Sequence, residues 1–187
     1  MATLPTLEVA RVVLRHPRGA DLDDLYALFA RAEVTRYWSH GPWQARHQAE
    51  AYLRDIHAGA ASGQLLQWAI TGRDADRLIG TVTLYGFARE HARCEIGFAL
   101  HPLHWGRGLA REAVSAVLTH AIHALGIQRV EADADPENAA SLRLLEGLGF
   151  QREGYARERY RLDGGTQDSV LLGLLAREFR QQPAISD

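Results

Sequence analysis

The stretch that decides the fold reads Glu95-Ile96-Gly97-Phe98-Ala99-Leu100-His101-Pro102-Leu103-His104-Trp105-Gly106-Arg107-Gly108-Leu109-Ala110-Arg111-Glu112-Ala113. A strand runs to Leu100, a glycine-rich turn follows, and the turn opens directly into a long amphipathic helix. That helix carries Val114, Val117, Leu118, Ala121, Ile122 and Leu125 on one face. The first turn of a helix has unpaired N–H groups and a partial positive charge, which together suit a pyrophosphate. Gly106 and Gly108 let the backbone take unusual angles and approach an anion without an intervening Cβ. Ala110 keeps the next turn slim, and Arg107 and Arg111 add charge nearby. The same glycines also suit a plain strand-to-helix turn. Two nucleotide signatures fail. G-x-G-x-x-G needs a third glycine where this chain has Arg111, and a P-loop needs a Gly-Lys-Ser/Thr that occurs nowhere.

Upstream, residues 7–16 alternate loosely and stop at Pro17, predicting a first strand. Asp21 can cap a helix bearing Leu22, Leu25, Tyr26 and Phe29, and a second helix is expected between Trp43 and Ala60. Residues 64–71, 78–87 and 93–100 read as three strands of an antiparallel meander. Downstream, Gly126 suits a helix C-terminus, 128–133 a short strand and 138–147 a short helix. Segments 154–161 and 167–175 form a hairpin around Asp163-Gly164-Gly165. The order β-α-α-β-β-β-α-β-α-β-β is mixed α/β, neither a doubly wound parallel sheet nor an up-and-down barrel.

The 187 residues fit one domain, residues 1–187, with a core at about 7–179 and a short C-terminal tail. Net charge is −2, which gives no basis for nucleic acid as the main partner. The lone Cys94 forbids an internal disulfide and argues against a cysteine zinc site. The N-terminus does not read as a signal peptide, and no apolar run approaches the length of a membrane helix, so a cytoplasmic protein is expected.

A second block lies downstream: Asn138-Ala139-Ala140-Ser141, then Leu145-Glu146-Gly147-Leu148-Gly149-Phe150 and Arg152-Glu153-Gly154. With Trp105-Gly106-Arg107-Gly108-Leu109-Ala110, this block resembles the GNAT superfamily of N-acetyltransferases. The family's Q/R-x-x-G-x-G/A turn is matched except at its first position, here Trp105. The variant W-G-x-G-x-A and the pattern N-x-x-S…E-x-x-G-F…x-E-G are typical of the subgroup resembling the ribosomal-protein alanine acetyltransferases RimJ and RimL. The resemblance covers the chain from Leu7 to about Phe179. It implies a mostly antiparallel sheet with one splayed parallel strand pair, helices on both faces, and acetyl-CoA as cosubstrate with no metal. Pantetheine would pair near Phe98, Ala99 and Leu100. The pyrophosphate would meet the N–H groups of Gly106, Arg107, Gly108, Leu109 and Ala110, with Trp105 in the same cofactor-binding turn. Asn138 and Ser141 would contact the cofactor.

Direct attack by an amine on the thioester needs a neutral nitrogen, although a free alkyl amine has a pKa near ~10. It also needs donors for the oxyanion and a proton for the leaving thiolate. Glu95 is the candidate base, against a plain solvated or salt-bridged strand residue. A backbone N–H near Leu100 is a candidate for the carbonyl. Ser141 is the candidate donor to sulfur, against a serine merely tolerated in a first helical turn. Asn138 also reads as an N-cap. Many family members carry a tyrosine acid just beyond this position, but none lies between Asn138 and Phe150, which leaves Ser141, Tyr155 or water.

Of nine histidines, His101 and His104 lie on the loop before the turn, where they are alternative bases to Glu95; their spacing also invites a metal, without matching carboxylates or cysteines. Glu131, Asp133 and Asp135 share one strand face and either attract a cationic acceptor or form a polar edge. Tyr37, Trp38 and Trp43 belong either to an acceptor wall or to core. The acceptor is read as a protein or peptide N-terminal α-amine. The rivals are a small amine (antibiotic, polyamine or amino acid) and a non-catalytic acyl-CoA sensor on the same fold. A homodimer stays open.

Overall fold

The structure is a computed structural model that describes residues 4–162 and 164–180. The expected C-terminal tail beyond 180 and the hairpin residue Asp163 lie outside the described residues. Eight strands form one sheet in the order β1-β2-β3-β4-β5-β6-β8-β7. They are β1 Leu7–Glu8, β2 Val12–Arg15, β3 Leu66–Gly72, β4 Leu78–Ala88, β5 Arg93–Leu100, β6 Arg129–Ala134, β7 Gln151–Leu162 and β8 Gly165–Leu175. Every pairing is antiparallel except β5 with β6. This is the mixed α/β class expected from the pattern.

Helices cover both faces. On one side α1 Leu22–Phe29 and α3 Arg46–Ser62 pack Leu25, Leu28, Phe29, Leu53 and Ile56 against Ala69, Leu78 and Ala99, with the short α2 Ala32–Thr35 between them in sequence. On the other side α4 Leu109–His123 and α5 Ala139–Leu148 bury Val114, Val117, Leu118, Leu142 and Leu145 against Val82, Leu84, Ile96 and Val130. Central strand β3 is buried along most of its length, because helices lie over both of its faces.

Three local expectations are corrected. The predicted first strand is two: β1 pairs back on β2 with Leu7 opposite Leu14, and Val9 N–H bonds to the Val12 carbonyl. The break arises at Arg11, whose own N–H bonds to Glu112 Oε1 at 2.7 Å instead of to a strand. Asp21 does not cap α1. Its buried carboxylate is held by both terminal nitrogens of Arg15, at 2.8 Å each, and by the Arg18 N–H. The carboxylate is turned toward Arg15 and back to the Arg18 N–H, away from the first turn of α1. Helix α4 stops at His123, so Leu125 is exposed; Gly126, at φ +71°, turns the chain and Ile127 takes the core position instead.

Candidate active site

Strands β5 and β6 share three register pairs: Arg93 with Arg129, Cys94 with Val130, and Glu95 with Glu131. Beyond these, β5 stays paired to β4 as far as Leu100, and β6 stays paired to β8 as far as Ala134. Neither strand ends at Glu95 and Glu131; they diverge. The edge of β5 from Ile96 to Leu100 thus presents main-chain groups toward a V rather than a ladder, and interior main-chain groups require partners.

Two cavities meet in that V. One, of about 500 Å³, opens on the α4 side and is lined by Phe98, Ala99, Leu100, Trp105, Gly106 and Gly108, then Leu109 and Ala110. The other, of about 370 Å³, lies on the α3 side and is lined by Tyr52, Gln67, Thr83, Tyr85, Asp133 and Tyr160 among others. Tyr37, Trp38, Phe98, Asn138 and Ser141 line both. These five residues mark the junction.

The first cavity ends at the start of α4. Gly106 and Gly108 have φ of +71° and +75°, the left-handed region closed to most side chains. The first helical bond runs from Glu112 N–H to the Gly108 carbonyl at 3.1 Å, so the N–H groups of Leu109, Ala110 and Arg111 precede the ladder. Trp105 fixes the other end of the turn: its indole N–H donates to the Leu100 carbonyl at 2.6 Å. Arg107 does not line the cavity. Its carbonyl accepts from Arg11 Nη1 at 2.8 Å, while Arg11 Nε donates to Glu112 Oε2, also at 2.8 Å. Arg11 thereby clamps the turn to the first helical turn, a contact across 96 residues of sequence that no local pattern announces. Asn138 caps α5, its side-chain oxygen accepting from Ser141 N–H at 3.1 Å.

On the opposite face, Glu95 lies beside Tyr85, its register partner on β4, and Glu131, its partner on β6. Its carboxylate rests against the bulged Gly86, where a Cβ would stand 2.8 Å from Oε1. Glu95 is not among the residues lining the cavity, whereas Tyr85 is. Burial first, then the charges of Asp133 and Glu131, raises the Glu95 pKa above the ordinary carboxylate range. Glu131 moves the other way: burial opposes the shift, but the hydrogen bonds and charges of Arg129 and Arg93 together outweigh it. Asp133 accepts from the Tyr160 hydroxyl at 2.6 Å.

Tyr155 is excluded from the junction: it is exposed and its hydroxyl donates to Asp168 at 2.6 Å. Tyr160, five residues on and beyond a bulge between Ala156 and Tyr160, lines the cavity instead. Trp43 is core, packed on Phe29, while Tyr37 and Trp38 line the junction. The buried Cys94 thiol is pushed up to about 12 by desolvation, which keeps it protonated and inert. Among the described residues no three His, Cys, Asp or Glu side chains converge as a metal cluster, and no helix is long and apolar enough to cross a membrane.

Residues 11–151 match the family described as Acetyltransferase (GNAT) domain. The chain belongs to this family. It is 36% identical over 162 residues to the uncharacterized N-acetyltransferase YoaA of Bacillus subtilis (strain 168), covering 87% of this chain and 91% of that one. It is 32% identical over 180 residues to the [Ribosomal protein uS5]-alanine N-acetyltransferase of Escherichia coli (strain K12), covering 90% and 89%. Among solved structures it superposes on the spermidine N-acetyltransferase of Vibrio cholerae in complex with CoA and spermine, with a TM-score of 0.79, 22% identity and coverage of 89% and 96%, a likeness of fold. The protein is thus a GNAT enzyme that depends on acetyl-CoA. The residues around the V fit that cosubstrate chemically: a left-handed glycine pair before a helix N-terminus for a diphosphate, and an unpaired strand edge for an amide-bearing arm.

Proposed function

We propose that this GNAT enzyme acetylates a primary amine, foremost the α-amine of a polypeptide N-terminus, by direct attack within a ternary complex. The observation that carries the reading is the junction: a cavity with an anion-binding end and a cavity with a polar floor meet at Phe98, Asn138 and Ser141. Acetyl-CoA would lie in the first. Its diphosphate would meet the N–H groups of residues 106–110, and its pantetheine the free edge at Phe98, Ala99 and Leu100. The amine would approach through the second. Its nitrogen attacks the thioester carbon, a C–N bond forms, the C–S bond breaks and the thiolate takes a proton, with Ser141 as nearby donor. Because Glu95 stands behind Tyr85, it would accept the amine's proton through a water or through that phenol. Its raised pKa makes it a stronger base than an ordinary carboxylate.

The polypeptide preference is supported by a broad trough beside the second cavity, lined by Glu33, Arg36, Tyr37, His40, Trp105 and Arg161 among others, which gives room for a chain trailing behind its N-terminus. A second reading, a small polyamine, is favoured by Asp133 and Asp135 in the cavity wall. Thiol release from acetyl-CoA, followed with alanine-initiated peptides and with spermidine, separates the two. We expect turnover with the peptides. Thermal stabilisation by acetyl-CoA without turnover of any amine would make the chain a sensor and overturn the proposal.

A further inference from the structure

The floor of the second cavity holds a polar group that the acetyl-transfer chemistry does not use. Gln67 is 0% exposed, on a strand where helices cover both faces. Its Oε1 accepts from the Tyr52 hydroxyl at 2.8 Å and from the Thr83 hydroxyl at 2.9 Å. Both lone pairs of that oxygen are then used, with the two hydroxyls acting as donors. The other end, Nε2, carries two hydrogens and is a buried nitrogen without a partner among the described residues. Leaving such a donor unmade costs the fold its full desolvation, and a leucine here would avoid that cost.

The register places this amide in line with the V. Gln67 faces Thr83, and Thr83 faces Gly97, in one row across three strands. Gly97 lies just past Glu95, the last residue of β5 paired to β6. Adjacent strands are about 4.8 Å apart, so the row spans roughly 10 Å. The same face continues to Ala69 and Ala99, both apolar core. The polar row therefore begins where the cavity begins.

We infer that Gln67 is a specificity-determining residue whose free amide donor receives an oxygen carried by the acceptor close to its nitrogen. This rests on the acetyl-transfer reading above. An N–H donor complements a carbonyl, carboxylate or hydroxyl oxygen and offers nothing to an ammonium group. The acceptor class it selects is the aminoacyl or amino-alcohol type, in preference to a bare alkyl amine. A site built to bond an oxygen rejects the analogue that lacks it, because the buried donor is then stranded.

The test uses two amines of one skeleton, L-alaninamide and isopropylamine, with the full chain and acetyl-CoA. Rates are corrected for the fraction of free amine. We expect kcat/KM to favour alaninamide by at least tenfold. Gln67→Met, which keeps length and loses the donor, should abolish that preference by lowering kcat/KM for alaninamide, while CoA affinity changes less than twofold. An equal preference in both proteins overturns the inference. A second readout needs no turnover: the Gln67 side-chain NH₂ signal in a ¹⁵N spectrum of the CoA complex, assigned by its loss in Gln67→Met. Alaninamide should shift it and isopropylamine should not. A signal indifferent to saturating alaninamide overturns the inference. Absent turnover with a shifted signal would count against the acetyl-transfer reading and leave Gln67's selectivity standing.

Discussion

The two cavities that meet in the V are made of different material. The α4 side is built largely from main chain: Trp105 to Arg111 are consecutive, and what they offer is N–H groups, two left-handed glycines and the start of a helix. The α3 side is built from side chains brought together from α3, β3, β4, β6 and β7: Tyr52, Gln67, Thr83, Tyr85, Asp133 and Tyr160. A main-chain site can be broken only by changing backbone conformation, and it accepts any ligand with the right anion. A side-chain site can be retuned one residue at a time. Donor binding should therefore respond sharply to few substitutions, and acceptor choice gradually to many.

The sharpest break should come at Gly108. Valine there must adopt a φ of +75°, which costs roughly 1–2 kcal/mol for an L residue, and its Cβ would meet Arg11 Nη2 at 3.3 Å. The loop will relax away, and each charge-assisted hydrogen bond lost to the diphosphate is worth about 1.5–3 kcal/mol. Calorimetry on Gly108→Val should show CoA affinity down by about two to three orders of magnitude with the cooperative melt retained. Gly106→Ala makes a milder control, because a Cβ there meets nothing within 4 Å and only the backbone penalty remains.

Glu95→Gln should act on turnover and spare the cofactor. A general base typically contributes on the order of 10²-fold, and relay through water or Tyr85 sets this position at the lower end. Because the Glu95 pKa is raised, its basic form becomes populated at higher pH than that of an ordinary carboxylate. The wild-type rate should climb with pH through that window, and Glu95→Gln should remove this limb. Stability carries the opposite sign. The folded state binds this proton more tightly than the unfolded chain, so the ionised carboxylate destabilises the fold at neutral pH. The variant should melt higher than wild type at pH 7 and equal to it at about pH 3, below both pKa values. A melt unchanged at both pH values would show that Glu95 is not desolvated.

Arg11 offers a smaller effect on the main-chain side. Arg11→Ala removes the donor to the Arg107 carbonyl and the ion pair to Glu112, whose side chain is only 11% exposed and keeps only the backbone N–H of residue 11. A loosened turn should weaken CoA binding by about tenfold, the equivalent of one charge-assisted hydrogen bond. The KM for the amine should stay put, since Arg11 does not touch the acceptor cavity. An effect on amine KM alone would refute the clamp.

The contrast between the cavities also explains what could be read from the chain. Strand, turn and helix at 95–113 were legible because period and glycine placement are local, and the alternation in 93–100 and 128–133 predicted β5 and β6. Asn138 as a cap was legible for the same reason. Gln67 was not: nothing in Leu66-Gln67-Trp68 says which face a helix will cover, and its partners are Tyr52 and Thr83, distant in sequence. Tyr155 stood beside Ser141 and water as a possible acid, yet it is Tyr160, beyond the bulge, that lines the cavity, and no local pattern marks it. Arg11 was hidden by the strand-like alternation around it, because the sequence does not reveal that Glu112 competes for its N–H.

The smallest effect should come from Tyr160→Phe, and it is the most informative about the acceptor side. The hydroxyl donates to Asp133 at 2.6 Å, and Arg159 Nε stands 3.7 Å from the same carboxylate. Losing one hydrogen bond of about 1 kcal/mol frees an Asp133 lone pair without removing the charge. If Asp133 steers cationic acceptors, spermidine should bind about as well or slightly better in the variant, while the KM for an alanine-initiated peptide rises by about threefold to fivefold as the wall loosens. Equal changes for both acceptors would mean that the tyrosine only supports the hairpin. A divergence would place the choice between polypeptide and polyamine in the β6–β7 wall, separate from the donor end that the glycines control.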